Sequence, residues 1–314
     1  MSDTVDHLLQ VLLNGLASGA VYALFALGYT LVFSVLGVIN FAQGALFTLG
    51  AYFTYLLIGG SVGSNGLLAG VQLPFALPFW LALLLAGVGA AGMGVLVEAT
   101  AFAPLRQRRA EPLLYLISSL GAGVVIVNVV QLLMGAESYS IPAATLAELP
   151  ATIRIGAAQV RSVQLLLMAV AAIVLVTLTL WLEGSRMGKA LQAVSEDPDT
   201  ARLLGINAGA MIQLAFALSG FLAGVAGGLV GLSVSISGPY FGIGFGIKAL
   251  GVLVLGGLGS VPGAMLGGLV VGLAEALVPA DFSGYKDGVA YAFLFAVLLL
   301  RPQGLLGKTL ISKV

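Results

Sequence analysis

The sequence predicts an all-α polytopic membrane protein of about nine transmembrane helices, within a range of eight to ten, and three observations carry that reading. Thirteen basic and thirteen acidic residues make up 8% of the 314, against roughly 25% in soluble domains. Apolar residues reach 60% and glycines number 44, an excess that only lipid can face. From Leu8 to Val97 there is no charged residue over 90 positions, whereas about 20 apolar residues suffice to cross the hydrocarbon core. Several helices must therefore be packed into that stretch.

The first span is placed near 8 to 33. Asp3 and Asp6 precede it without any Lys or Arg, so it lacks the basic start of a signal peptide and is expected to be retained. Turn signals and polar islands place the others near 38 to 59, 74 to 103, 112 to 135, 163 to 183, 209 to 232, 245 to 258, 262 to 279 and 286 to 301. The second has Asn40, Gln43 and Gly44 near its start, and the seventh is too short for an upright crossing. Either suits a broken or re-entrant helix, which lipid tolerates only where protein or water satisfies the backbone.

Orientation follows from basic residues, because short cytoplasmic loops keep an excess of Lys and Arg. Arg106, Arg108 and Arg109 lie in one connection, Arg186, Lys189 and Arg202 in a second, and Arg301, Lys308 and Lys313 in the tail. Nine spans with the N-terminus outside put all three on the cytoplasmic side. The loop from about 136 to 162, with Glu137, Glu148, Arg154 and Arg161, then falls outside. On this topology the cytoplasmic segments hold nine basic and five acidic residues, the outside three and six, and the spans one and two. The net charge of zero is a sum over two oppositely charged faces.

Glycines inside spans permit close backbone contact where no hydrophobic force drives helices together. Gly15 and Gly19, the series Gly220, Gly224 and Gly228, and the pairs Gly263 with Gly267 and Gly268 with Gly272 have GxxxG spacing and read as packing faces. Gly37 to Ala51 and Gly256 to Gly268 interrupt apolar regions at roughly mirrored distances from the ends, which reads either as an inverted repeat or as two unrelated glycine-rich helix ends.

Three ionisable residues fall within spans, Glu98, Lys248 and Glu275, and isolated charge in lipid is costly. Glu98 lies near the basic connection at Arg106 and is expected to snorkel to the interface. Lys248 and Glu275 fall on neighbouring spans of a hairpin and are expected to pair. The uncharged polar groups Asn14, Ser18, Asn40, Gln43 and Asn128 serve either as interhelical hydrogen bonds or as contacts to a solute. Lys248 and Glu275 share that double reading of pathway or packing.

The absence of cysteine excludes disulfides and thiol chemistry, and the single histidine, His7, leaves no basis for a zinc site. Gly307, Lys308 and Thr309 end like a phosphate-binding loop, but Pro302 stands where its first glycine belongs and five residues follow Thr309, too few for the helix that should begin there. The chain is therefore expected to be no enzyme and to hold no cofactor or metal. The zero net charge gives no footprint for nucleic acid.

The longest charged island runs from Glu183 to Asn207 and contains its own small helix, predicted over Pro198 to Leu204. Asp197 suits the N-cap, Pro198 the first helical position, and Gly205 the left-handed residue past the end. Ala201 and Leu204, three apart, are expected to share an apolar face that needs a partner.

The stretch GKALQAVSEDPDTARLLGIN followed by AFALSGFLAGVAGGLVG, with LGVINFAQGALFTLGAY at 36 to 52 and RPQGLLGK at 301 to 308, resembles the LivH type of ATP-binding-cassette importer permeases, which handle branched-chain and other amino acids. The resemblance implies one transmembrane permease domain over 1–314 with a cytoplasmic coupling loop at 183–208. Its short helix docks into an ATP-binding subunit, and Glu196, Asp197, Ala201, Leu204 and Gly205 belong to that element. It also implies a second permease subunit, related or identical, two ATP-binding subunits that use ATP and Mg, a soluble solute-binding protein, and residence in a bacterial inner membrane. Urea permeases resemble the same family closely, so urea or a short amide is the alternative solute. A rival of another class is an ion-coupled carrier or channel.

The orientation is tested by single cysteines at positions 3, 107 and 311 of this cysteine-free chain. An impermeant thiol reagent applied to intact cells is expected to label Asp3→Cys and to leave Gln107→Cys and Ile311→Cys untouched; labelling at 107 refutes it.

Overall fold

The computed structural model describes residues 2–141, 145, 152–155, 158–279, 282, 286–301 and 303–307. Glu148, Pro302, Lys308, Thr309 and Lys313 of the charge pattern and motifs above lie outside the described residues. The described chain is overwhelmingly helical: α1 (Ser2–Leu36), α2 (Gln43–Leu57), α3 (Phe79–Val97), a π-helical turn (Glu98–Phe102), α4 (Ala103–Gln107), α5 (Pro112–Met134), α6 (Ser162–Gly184), α7 (Arg186–Glu196), α8 (Pro198–Leu203), α9 (Ala208–Ser233), α10 (Phe241–Gly256), α11 (Val261–Ala276) and α12 (Lys286–Leu300). One departure from the expected all-α class is an antiparallel hairpin of β1 (Thr152–Ile155) and β2 (Ala158–Arg161), with Thr152 opposite Arg161. It falls in a polar inter-span loop, where the backbone is free of the membrane's demand for helix.

A helix occupies each of the nine expected positions, yet five helical stretches among the described residues are long and apolar enough to cross a membrane alone. They are Leu9–Leu36, Phe79–Gln107, Pro112–Met134, Ser162–Gly184 and Ala208–Ser233. The expected seventh and eighth spans are α10 and α11, two halves bent by 120°. Gly257 at φ +109° and Gly259 at φ +80° make the turn. Ser260 then caps α11 by accepting from the Gly263 N–H at 3.1 Å, with Pro262 in its first turn. At 15 residues α2 is also shorter than the about 20 needed to cross upright. Its length reflects its place: nearly every residue of α2 is buried in protein.

The chain divides into two compact units, one of residues 1–30, 149–177 and 248–314, the other of 31–148 and 178–247. In the second unit α2 packs on α3, α5 and α9, and α9 lies along both α2 and α3. Small residues set these spacings. A Cβ on Gly94 would stand 2.5 Å from the Phe216 carbonyl oxygen, and one on Gly224 would stand 2.6 Å from the Ala90 Cβ. Gly224 also meets Gly50 of α2, and Gly228 meets Thr54. The series Gly220, Gly224 and Gly228 is thus a packing face on α9. In the first unit α1 meets α11 in the same way. A Cβ on Gly15 would lie 2.9 Å from the Leu273 Cα, one on Gly19 would lie 2.9 Å from the Gly268 carbonyl oxygen, and Gly272 abuts Gly19.

These contacts make a direct prediction for stability. Gly224→Val inserts bulk between α9 and its neighbours and is expected to cost about 1–3 kcal/mol or to prevent folding. Gly121→Ala, where a Cβ meets nothing within 4 Å, is expected to be neutral. Thermal unfolding of the detergent-solubilised protein checks both.

Candidate functional site

The charged island folds into two consecutive helices rather than one. Ser185 caps α7, its Oγ accepting from the Gly188 N–H at 2.8 Å. The face Gly188, Leu191 and Val194 is buried, and Gly188 lies against the backbone of Trp181 and Leu182, where a Cβ would be 2.6 Å from the Leu182 Cα. The sequence reading missed α7; the serine before a run with apolar residues three apart was the available signal. Glu196, assigned above to the coupling element, is the last residue of α7.

Helix α8 has the predicted caps. Asp197 Oδ1 accepts from the N–H groups of Asp199 at 2.9 Å and Thr200 at 3.1 Å, and its Oδ2 accepts from Thr200 Oγ1. Arg202 pairs with Asp199 at 2.7 Å. At the other end the Gly205 N–H donates to the Arg202 carbonyl and the Ile206 N–H to the Ala201 carbonyl, both at 3.0 Å. That is a Schellman closure, and it requires the left-handed conformation Gly205 adopts at φ +81°. The shared face of Ala201 and Leu204 is not present. Ala201 is 2% exposed, whereas Leu203 and Leu204 are 88% and 75% exposed. The helix ends at Leu203, and Leu204 is exposed at the C-cap while Ala201 is buried; α8 packs on α7 and α9. The exposed apolar pair is Leu203 with Leu204.

The polar residues of the spans fall into separate groups. In the first unit, Gln164 Nε2 donates to Asn14 Oδ1 at 2.9 Å, tying α6 to α1, while Ser18 is exposed. Lys248 Nζ stands 3.0 Å from Glu275 Oε1. Tyr22 donates to Glu275 Oε2 at 2.7 Å, and its ring centroid lies 5.6 Å from Lys248 Nζ. In the second unit Gln43 is fully buried and its amide is used twice: Nε2 donates to the Ser219 carbonyl and Oε1 accepts from Ser219 Oγ, both at 2.9 Å. Asn40 Oδ1 accepts from the Ala42 N–H at 3.1 Å, and its Nδ2 is buried without a hydrogen-bond partner among the described residues. Asn128 is exposed and returns its amide to the Val124 carbonyl at 2.8 Å. Tyr22, Gln164 and Ser219 were not singled out from sequence, since nothing local distinguishes them from other polar groups in apolar helices.

Glu98 does not snorkel. It is fully buried, and Arg106 reaches it instead, with Nη2 at 2.8 Å from Oε1. Pro104 has no N–H to offer the Thr100 carbonyl, and the helix widens into the π turn, in which the Ala103 N–H donates to the Glu98 carbonyl. Ser118 Oγ of α5 satisfies the Ala101 carbonyl at 2.9 Å. Arg106 reaches Glu98 from about two turns further along.

Two further clusters brace loops. Glu137 Oε1 accepts from the Ser64 N–H, Ser64 Oγ and Asn65 Nδ2 at 3.1, 2.8 and 2.8 Å. The Ser64 side-chain bond, ahead of the others, holds this carboxyl below its ordinary range. The brace is therefore fully present above the ordinary carboxylate pKa and is lost as pH falls through the lowered value. In the tail, Leu305 and Leu306 close a helix. Leu305 and Leu306 donate their N–H groups to the Leu255 and Gly256 carbonyls at 2.8 and 2.9 Å, filling acceptors that the C-terminus of α10 leaves open.

Residues 11–300 match the family described as branched-chain amino acid transport system / permease component. The chain is 39% identical over 318 residues to the high-affinity branched-chain amino acid transport system permease protein BraD of Pseudomonas aeruginosa, covering 99% of each. It is 36% identical over 320 residues to permease protein LivH of the same-named system in Escherichia coli K12, covering 100% of each. It is also 28% identical over 311 residues to that organism's permease protein LivM, covering 92% of this chain and 68% of LivM.

The Glu98–Arg106 pair supplies a test of its own. Arg106→Gln leaves a buried carboxylate uncompensated and is expected to cost about 3–5 kcal/mol, largely recovered in the Glu98→Gln/Arg106→Gln double variant. Thermal melts of the two variants against the parent decide it.

Proposed function

The chain belongs to the family of branched-chain amino acid transport system permease components, and from that premise we propose that it is the membrane subunit of an ATP-driven importer for branched-chain or other neutral amino acids. It moves a solute delivered by a soluble binding protein and performs no chemistry. ATP and Mg belong to two partner ATPases. LivH and LivM carry the name of one system in one organism and both match this chain, which favours a second, related permease as its partner. The assembly sits in a bacterial inner membrane with the N-terminus outside and the C-terminus in the cytoplasm, as the distribution of basic residues favours.

The observation that carries the coupling role is α8. It is closed at both ends by hydrogen bonds, so it moves as a body rather than bending. It presents Leu203 and Leu204 with most of their surface uncovered, an apolar anchor of the kind that fills a partner's cleft. Glu196 and Asp197 bring α7 into α8, Ala201 seats the helix, and Gly205 closes it. A push on the leucine pair is delivered through buried Ala201 to α7 and α9. Since α9 is pressed backbone to backbone against α2 and α3, it passes the displacement on within that unit.

Gly205→Val forces a β-branched residue into a left-handed conformation that only glycine adopts without strain. In proteoliposomes with the partner subunits and binding protein, this variant is expected to assemble and hydrolyse ATP while leucine uptake falls at least about tenfold, a loss of 1.4 kcal/mol or more in coupling. Full uptake sinks the coupling role, and parent uptake of urea in place of leucine sinks the proposed solute.

A further inference from the structure

The second buried ion pair of the spans differs from the Glu98–Arg106 pair in ways that packing does not account for. Lys248 is in the middle of α10 and Glu275 is one residue from the end of α11. The C-terminal end of a helix carries partial negative charge, so a carboxylate there is disfavoured. A buried ion pair seldom gains net stability over an apolar pair of similar size. The position therefore bears two costs that a leucine and a methionine would avoid.

The geometry leaves capacity unused. Glu275 Oε1 lies 3.0 Å from Lys248 Nζ yet takes no well-directed hydrogen bond among the described residues, while Oε2 is held by Tyr22. A buried carboxylate oxygen near the negative end of a helix is an acceptor suited to a second cation. The two side chains keep 12% and 10% of their surface exposed.

We infer that Lys248 and Glu275, braced by Tyr22, form a transient station for the zwitterionic head of an α-amino acid, with Lys248 Nζ holding the carboxylate and Glu275 Oε1 the α-ammonium. This rests on the permease reading and gives that reading a recognition site in the membrane. A zwitterion enters without adding net charge and exchanges one ion pair for two. The flexible four-carbon stem of Lys248 lets the pair part, and the Tyr22 ring face offers an ammonium a cation–π contact. When the solute leaves, the internal pair closes again. Occupancy is then weak and reversible, as conduction requires.

The test separates a station from a staple. Lys248→Met/Glu275→Gln removes both charges and leaves none unpaired, so a staple predicts parental leucine uptake. The station predicts that the double variant assembles with its partners at an unchanged melting temperature and loses at least about tenfold of leucine uptake. A second measurement covers the case of failed folding. Lys248→Cys in this cysteine-free chain is treated with an aminoethyl thiosulfonate, which rebuilds a cation of nearly lysine length, or with its methyl analogue. Recovery of uptake with the first reagent alone, and slower modification under saturating leucine, are expected. Equal recovery with both, no protection by leucine, or parental uptake by the double variant overturns the station. Failure of the parent itself to take up leucine overturns the permease reading instead.

Discussion

Close contact between helix backbones is the constraint on which the other features depend. In lipid, apolar side chains gain nothing by turning from solvent to protein, so helices associate through packing and hydrogen bonds. Both units meet this demand with glycine and alanine. In one, Gly94, Gly220 and Gly224 bring α3 and α9 together; in the other, Gly15, Gly19, Gly268 and Gly272 do the same for α1 and α11. Such contacts have no soft layer of side chains to absorb a displacement. A helix moved at one end must carry its neighbours or lose the contact.

The coupling role proposed for α8 draws on that stiffness. Each of its ends is satisfied by hydrogen bonds, and Leu203 and Leu204 are exposed while Ala201 is buried. Hydrogen bonds also govern where helices break within the membrane. The π turn is supported by Ser118, and the bend between α10 and α11 is supported by Ser260 and by the tail backbone at Leu305 and Leu306. Each break has donors brought to it, as a medium without water requires. The tail thus supplies N–H groups to a helix of its own chain.

Much of the candidate site was legible locally. Asp197, Pro198 and Gly205 each have a conformational preference that acts within four residues, so the caps of α8 could be read without knowing what surrounds it. The fates of Ala201 and Leu204 could not, because i,i+3 spacing says that two residues share a side of a helix and not which neighbours cover that side. Glu98 shows the same limit. Proximity to a basic loop suggested an upward reach, whereas Arg106 reaches the buried carboxylate. Lys248 and Glu275 could be matched as opposite charges on adjoining segments, but Tyr22, more than two hundred residues away in sequence, had no local mark.

By itself the sequence determined the membrane class, the positions of the apolar helices, the capped helix and the family resemblance. The first three follow from composition, from hydropathy over about 20 residues, or from short-range backbone preference, and the resemblance rests on matched stretches of sequence. Only the tertiary structure decided that two apolar segments form one bent pair, that α2 is a short, almost wholly buried helix, and which polar groups complete one another. The reason is that in a chain with so few charges almost every polar group has several candidate partners. Which one it meets depends on helix rotation and depth, and those are set by close contacts between residues far apart in the chain.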